Sequence, residues 1–161
     1  MLRRQMLGAG AALAVAPLMI SRAVAQDLAP EKQPMIALGT YSKLTSQVAQ
    51  ERSGATPVQT FAGLEVAEQN AIAEAFGAAD SPPLLTQEQS DKLEMLRAAD
   101  DASFDMMYVD GQIEAHEQGL AIAQDYSASG DDPMAQGAAM IAVPSIETHL
   151  VMLRSIRASM A

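Results

Sequence analysis

Apolar residues recur every three to four positions along five stretches of this chain, and polar or proline-rich breaks separate the stretches. That spacing lines one face of a 3.6-residue helix. The first stretch runs from about Met35 to Ser53. Its inward stripe is Ala37, Leu38, Tyr41, Leu44, Thr45 and Val48, with Ser42, Lys43, Ser46 and Gln50 opposite. Gly54 is placed to end this helix in the left-handed conformation. Thr56 followed by Pro57 predicts an N-cap with proline at the first helical position. The second helix then extends from Pro57 to about Ala78. Asp80-Ser81-Pro82-Pro83 breaks the pattern, and Thr86 with Gln89 reads as a capping box for a short helix over about 87–99. Asp101 or Ser103 caps a long helix from about Phe104 to Ala128. Gly130 ends it, and Asp132-Pro133 starts a last helix running to about Met160. Pro144 inside that helix removes one backbone hydrogen bond and predicts a kink.

The connections imply a topology. Only a few residues join the first two long helices, and the same holds for the last two, so each pair is antiparallel. Between the pairs lies a long crossover with the short helix inside it. The expected fold is all-α, a ferritin-like four-helix bundle forming a single domain over 35–160. Alternating strand patterns and internal repeats are absent from the sequence.

Residues 1–25 follow a different pattern. Arg3 and Arg4 precede an uncharged run from Leu7 to Ile20, and Ala23-Val24-Ala25 supplies a small-x-small cleavage site. This is the pattern of a secretory signal peptide. The run is shorter than the roughly 20 apolar residues that span a bilayer, and Pro17 interrupts it. Arg3-Arg4-Gln5-Met6-Leu7 also looks like a twin-arginine signal, with Leu2 where Ser or Thr is usual; both export routes stay open here. Residues 26–34, with two prolines and several charges, read as a flexible tether. A periplasmic or otherwise exported protein with no transmembrane anchor after cleavage is expected.

Charge narrows the choice of partners. The full chain of 161 residues carries 20 acidic against 10 basic side chains. Loss of Arg3, Arg4 and Arg22 with the leader takes the net charge from −10 to −13. Nucleic acid is excluded, because phosphate neutralisation needs Lys and Arg. The absence of cysteine excludes a disulfide framework, a thiolate zinc site and a lipoprotein anchor. No nucleophile–base–acid set stands out, so a non-catalytic role is expected.

The candidate chemistry lies on the inward faces. On a helical wheel His116 falls between Ile113 and Leu120, with Asp105 and Gln112 on the same face. His149 is centred among Ala138, Ala142, Leu153 and Ile156, and Ser145 lies one turn before it. Glu147 points away, so Glu147 and His149 are not a chelating pair. Glu65 sits among Val58, Phe61, Ile72 and Phe76, flanked by Glu68 and Gln69. Two readings follow. Inward carboxylates and neutral imidazoles build a metal site from Glu65, Glu68, His116 and His149, with Gln69, Asp105 and Gln112 as neighbours and iron, manganese, zinc or copper as the ion. Alternatively the same groups form a buried polar network that holds register. Spacing counts against a standard di-iron centre: Ile113 and Ile146 stand where Glu-x-x-His would need acids. Folding the last two helices about Gly130 also puts His149 level with Gln112, about 7 Å from His116 at about 1.5 Å per residue. Met106-Met107 reads as one buried and one edge contact, and Tyr41, Tyr108 and Tyr126 as inward-facing core.

Several runs carry a family resemblance. They are residues 44–53 (Leu44 to Ser53), Val58 to Ala62, Glu65 to Gln69, Phe104 to Val109, Gln112 to His116 and Val143 to Leu150. Together they resemble an exported bacterial family of ferritin-like bundles catalogued as a domain of unknown function, whose members are often labelled outer membrane protein. The resemblance covers about residues 35–155 and implies secretion, a four-helix architecture and no established activity. Many members have Asp-His where this chain has Glu68-Gln69, which removes one of three inward imidazoles. The outer-membrane label finds no barrel pattern in this sequence. The resulting expectation is a structural, stress-related or binding role, with a metal-binding or metal-oxidising bundle as the alternative.

Overall fold

A computed structural model describes residues 28–160, and every regular element among them is helical. A 3-10 turn at Pro30–Lys32 leads into α1 (Gln33–Arg52), followed by α2 (Thr56–Ala75), α3 (Gln87–Ala98), α4 (Asp101–Ser129) and α5 (Pro133–Ala158). The predicted leader lies outside the described residues. Residues 30–34, read from sequence as tether, are helical instead. Lys32 is drawn in by an ion pair with Asp132, and Leu28 packs on the core.

The cap chemistry explains where most helices start. Thr86 accepts from the Gln89 backbone N–H, and Gln89 Oε1 accepts from the Thr86 N–H, so the capping box forms as predicted. Asp132 caps α5 through Met134 and Ala135. Two caps differ from expectation. Asp100, rather than Asp101 or Ser103, caps α4 by accepting from Ser103. Thr56 is already helical, with Ala55 before it and no side-chain cap. The left-handed glycine is also elsewhere: among the described residues only Gly77 has positive φ. There the Ala78 N–H reaches back to Ala73 O and the Gly77 N–H to Glu74 O, closing α2 early. Gly54 ends nothing in that manner, because α1 leaves through an extended Ser53, and Gly130 is extended too.

Arg52 performs the work expected of a C-cap for α3. Its guanidinium donates to the carbonyls of Leu96, Arg97 and Ala99, pairs with Asp101, and lies 4.3 Å over the Phe104 ring. Leu96 O also accepts the Ala99 N–H, so one side chain from α1 reinforces that closing bond and meets two further carbonyls at the end of the helix.

The long helices form a helical bundle: α1 packs on α2 and α4, and α5 on α4 and α2. Two apolar clusters fill it. One gathers Val58, Phe61, Leu96, Phe104, Tyr108 and Leu153; the other gathers Met35, Ile36, Phe76, Tyr126, Ala139 and Ile146. Tyr41, Tyr108 and Tyr126 are buried, as the wheel predicts. Met106 and Met107 are both exposed, which corrects the reading of one as core. Helix α5 has the length and composition of a membrane span, yet it packs along α4 and α2 and sends His149 inward.

The inward face of α1 is wider than its apolar stripe. Ser42 and Ser46, placed outward by sequence, are 3% and 0% exposed. The reason is that α1 is covered by α2, α3 and α4, so more than one face is buried. A signal was available: Gly39, Ser42, Ser46, Ala49 and Ser53 form a run of small residues at alternating spacings of three and four, which suits close helix contact.

Candidate metal centre

Between the two apolar clusters lies a polar layer. Glu65 of α2 is 0% exposed, and His116 of α4 and His149 of α5 are 4% and 7% exposed. Glu65 Oε2 lies 3.3 Å from His116 Nε2 and 3.2 Å from His149 Nδ1, and the two ring nitrogens are 3.3 Å apart. The predicted offset between the histidines is therefore absent. The ion pairs Asp110–Arg157 and Glu117–Arg154, like the two histidines, have midpoints beyond Asp132 rather than on Gly130.

Each ligand candidate is held by its own partner. The His116 Nδ1–H donates to Gln112 O at 2.8 Å; because a carbonyl only accepts, this nitrogen carries the proton and Nε2 is the free donor atom in the neutral ring. His149 Nε2 faces Glu68 Oε2 at 3.5 Å, and Ser145 Oγ donates to that same oxygen at 2.8 Å. Gln69 Nε2 donates to Glu65 Oε1 at 2.9 Å. Glu65 Oε2 is left buried without a well-directed hydrogen bond. Phe61, fully buried, packs on both imidazoles with ring centroids at 5.7 and 5.2 Å.

Glu68, predicted as a ligand, and Asp105 and Gln112, predicted as neighbours, stand outside the triangle. Glu68 touches His149 only from the outer edge of the ring. Gln112 turns its side chain away, donating to Ser42 O, Thr45 Oγ1 and Ser46 Oγ on α1. Ser46 continues the chain of contacts to the Tyr108 hydroxyl at 2.8 Å. Asp105 lies three helical turns before His116, about 16 Å along the axis at about 1.5 Å per residue, and is outside the cluster. Its Oδ1 is buried and unpartnered.

One donor atom from each of Glu65, His116 and His149 lies within 4.8 Å of the others. The profile of the domain of unknown function DUF4142 matches residues 35–156, which spans all three. The chain belongs to the DUF4142 family. No curated protein and no solved structure matches it. In this DUF4142 domain the three donors come from three different helices, so the fold, and not a local motif, assembles the set.

The electrostatics of the metal-free layer follow from the same contacts. Burial pushes the Glu65 carboxyl above its ordinary 4.5, but His116 and His149 outweigh burial and hold it at about 2. His149 is raised above its ordinary 6.5, with the Glu65 carboxylate the main cause, burial opposing and the Glu68 charge adding. The sign of the pH dependence is then set. The lowered Glu65 contributes stability that is complete above about pH 4.5 and is lost as pH falls toward 2. The raised His149 contributes stability that is complete below about pH 6.5 and is lost as pH rises through its folded value. The metal-free protein is therefore expected to melt highest between those limits, and His149→Leu to flatten the alkaline side. Melting curves from pH 4 to 9 check this, and an alkaline side unchanged by the substitution would contradict it.

Proposed function

We propose that this DUF4142 protein is an exported, ferritin-like helical bundle that binds a single first-row transition-metal ion between Glu65, His116 and His149. The observation that carries the reading is the near-equilateral triangle of donor atoms, with edges of 3.2, 3.3 and 3.3 Å. Four ligands arranged tetrahedrally at zinc bond lengths of 2.0–2.1 Å stand about 3.3 Å apart, so the triangle has the dimensions of one tetrahedral face. Both imidazoles also turn their second nitrogen to an oxygen acceptor, the arrangement that orients metal-ligating histidines. Zinc fits the spacing best, and two imidazoles with one carboxylate also suit iron, manganese or copper.

Export is supported by Arg3-Arg4, the uncharged run and Ala23-Val24-Ala25. The ferritin-like arrangement is supported by the contacts across the bundle. Glu68 meets Ser145 and Glu65 meets His149, so α2 and α5 run antiparallel, as α4 and α5 do. The crossover containing α3 then joins two parallel helices.

Thermal unfolding with and without metal tests the reading. Free zinc at a hundredfold excess over its Kd is expected to add about 2.7 kcal/mol of stability. Untagged protein is expected to hold close to one ion per chain by elemental analysis, and His116→Ala to lose it. Metal-free protein whose melting temperature ignores zinc, iron, manganese and copper would overturn the proposal.

A further inference from the structure

Three protein donors leave a four-coordinate ion one position short. Glu68 is the nearest further carboxylate to the histidines, but it stands behind the His149 ring, at Nε2, and is held there by Ser145. Among the described residues, the group of potential metal ligands consists of Glu65, His116 and His149 alone. What occupies the fourth corner is therefore decided by the space beside the triangle.

That space is asymmetric. On α2, Phe61 stands one turn before Glu65 and seals that end against both imidazoles. Gln69 stands one turn after Glu65, and on this side a small pocket of about 30 Å³, partly open to the surface, touches Glu65 and His116. Leu38, Gly39, Ser42, Gln69 and Gly119 are among its walls. A buried water needs about 10–15 Å³ of such space, so the part of the pocket beside the ligands has room for a water or a small anion. Two glycines keep it open. A Cβ on Gly119 would come within 3.3 Å of Leu38 Cδ2, and one on Gly39 would collide with Gln69 Oε1. Gln69 and Gly39 also line a larger surface groove of about 190 Å³ between α1, α2 and the segment after α2. Gln69 thus borders both the groove and the pocket, pinned by its bond to Glu65 Oε1.

We infer that the metal site is open at its fourth position toward this pocket, and that the position takes water or a small anion. The inference rests on the metal-binding reading above and adds the ligand class. It makes the site one that exchanges a small ligand, unlike a structural site closed by four protein donors.

Cobalt(II) added to the metal-free full chain gives a direct readout, because its visible bands report coordination. One equivalent is expected to bind and give the intense bands of a four-coordinate ion. Azide, a linear three-atom anion, is then expected to shift those bands in a saturable titration. Gly119→Ala, which adds a methyl to the cavity and touches no ligand, is expected to keep the cobalt and weaken azide binding at least tenfold. If Gly119→Ala does not fold, the azide titration of the unaltered protein decides alone. Stoichiometric cobalt whose spectrum ignores azide would overturn the open position and leave the metal site standing. Failure to bind cobalt, zinc, iron, manganese or copper would remove the metal site and this inference with it.

Discussion

The double variant His116→Leu/His149→Leu is expected to lose roughly 3–5 kcal/mol of metal-free stability at neutral pH, the scale of a buried charge stripped of its partners. Glu65 is the reason. Its carboxylate is fully buried, and apart from the Gln69 amide the two imidazoles are the polar groups that meet it. Leucine cannot compensate a charge, so the carboxyl must either stay ionised in an apolar setting or take up a proton at a cost. Adding Glu65→Leu to the double variant removes that charge and is expected to return most of the loss, because an apolar layer of similar volume packs well. Glu65→Leu alone is expected to cost less than the double variant, since the imidazoles can shed their protons and remain neutral. Urea unfolding of the three variants at pH 7 measures this ordering. A triple variant as unstable as the double one would show that the histidines act through shape and not through charge.

The second large effect is expected at a residue that donates nothing to a metal. Phe61→Ala should cost about 3–5 kcal/mol, the range for truncating a buried phenylalanine. The ring is fully buried and meets Tyr108, His116 and His149 at centroid distances of 6.5, 5.7 and 5.2 Å. Its loss would leave a void against both imidazoles and free their rotamers. Phe61→Leu fills much of the void and is expected to cost far less, while still lowering zinc affinity about tenfold, the lower end for losing a group that orients metal ligands. Denaturation gives the first number and competition against a chromophoric chelator the second. Full zinc affinity in Phe61→Leu would mean that the hydrogen bond to Gln112 O and the charge of Glu68 beside His149 suffice to aim the rings.

Much of this is legible in the chain itself. The Thr86–Gln89 box and the Asp132-Pro133 start are local signals, and they form where local rules put them. The inward positions of Glu65, His116 and His149 follow from helical period alone. What period cannot give is depth. The register of α4 against α5 depends on how the Gly130–Asp132 connection is shaped, and its extended backbone moves the midpoint of the pair past Asp132. That shift turns two histidines predicted about 7 Å apart along the axis, at about 1.5 Å per residue, into neighbours at 3.3 Å. Ser42 and Ser46 were misplaced for a different reason. A wheel sorts residues by polarity, and small hydroxyl side chains on a close-packed face are polar by type but buried by geometry.

This chain has no cysteine, yet its site has the topology of a cross-link. Glu65, His116 and His149 belong to helices that are distant in sequence, with the two histidines alone 33 positions apart. An ion held by all three would close two long loops at one point, as a pair of disulfides would. Unlike a disulfide, such a clasp needs no oxidant and opens to a chelator or to acid, because protons compete for its imidazoles. The rigidity of the whole bundle would then follow the supply of metal in its surroundings.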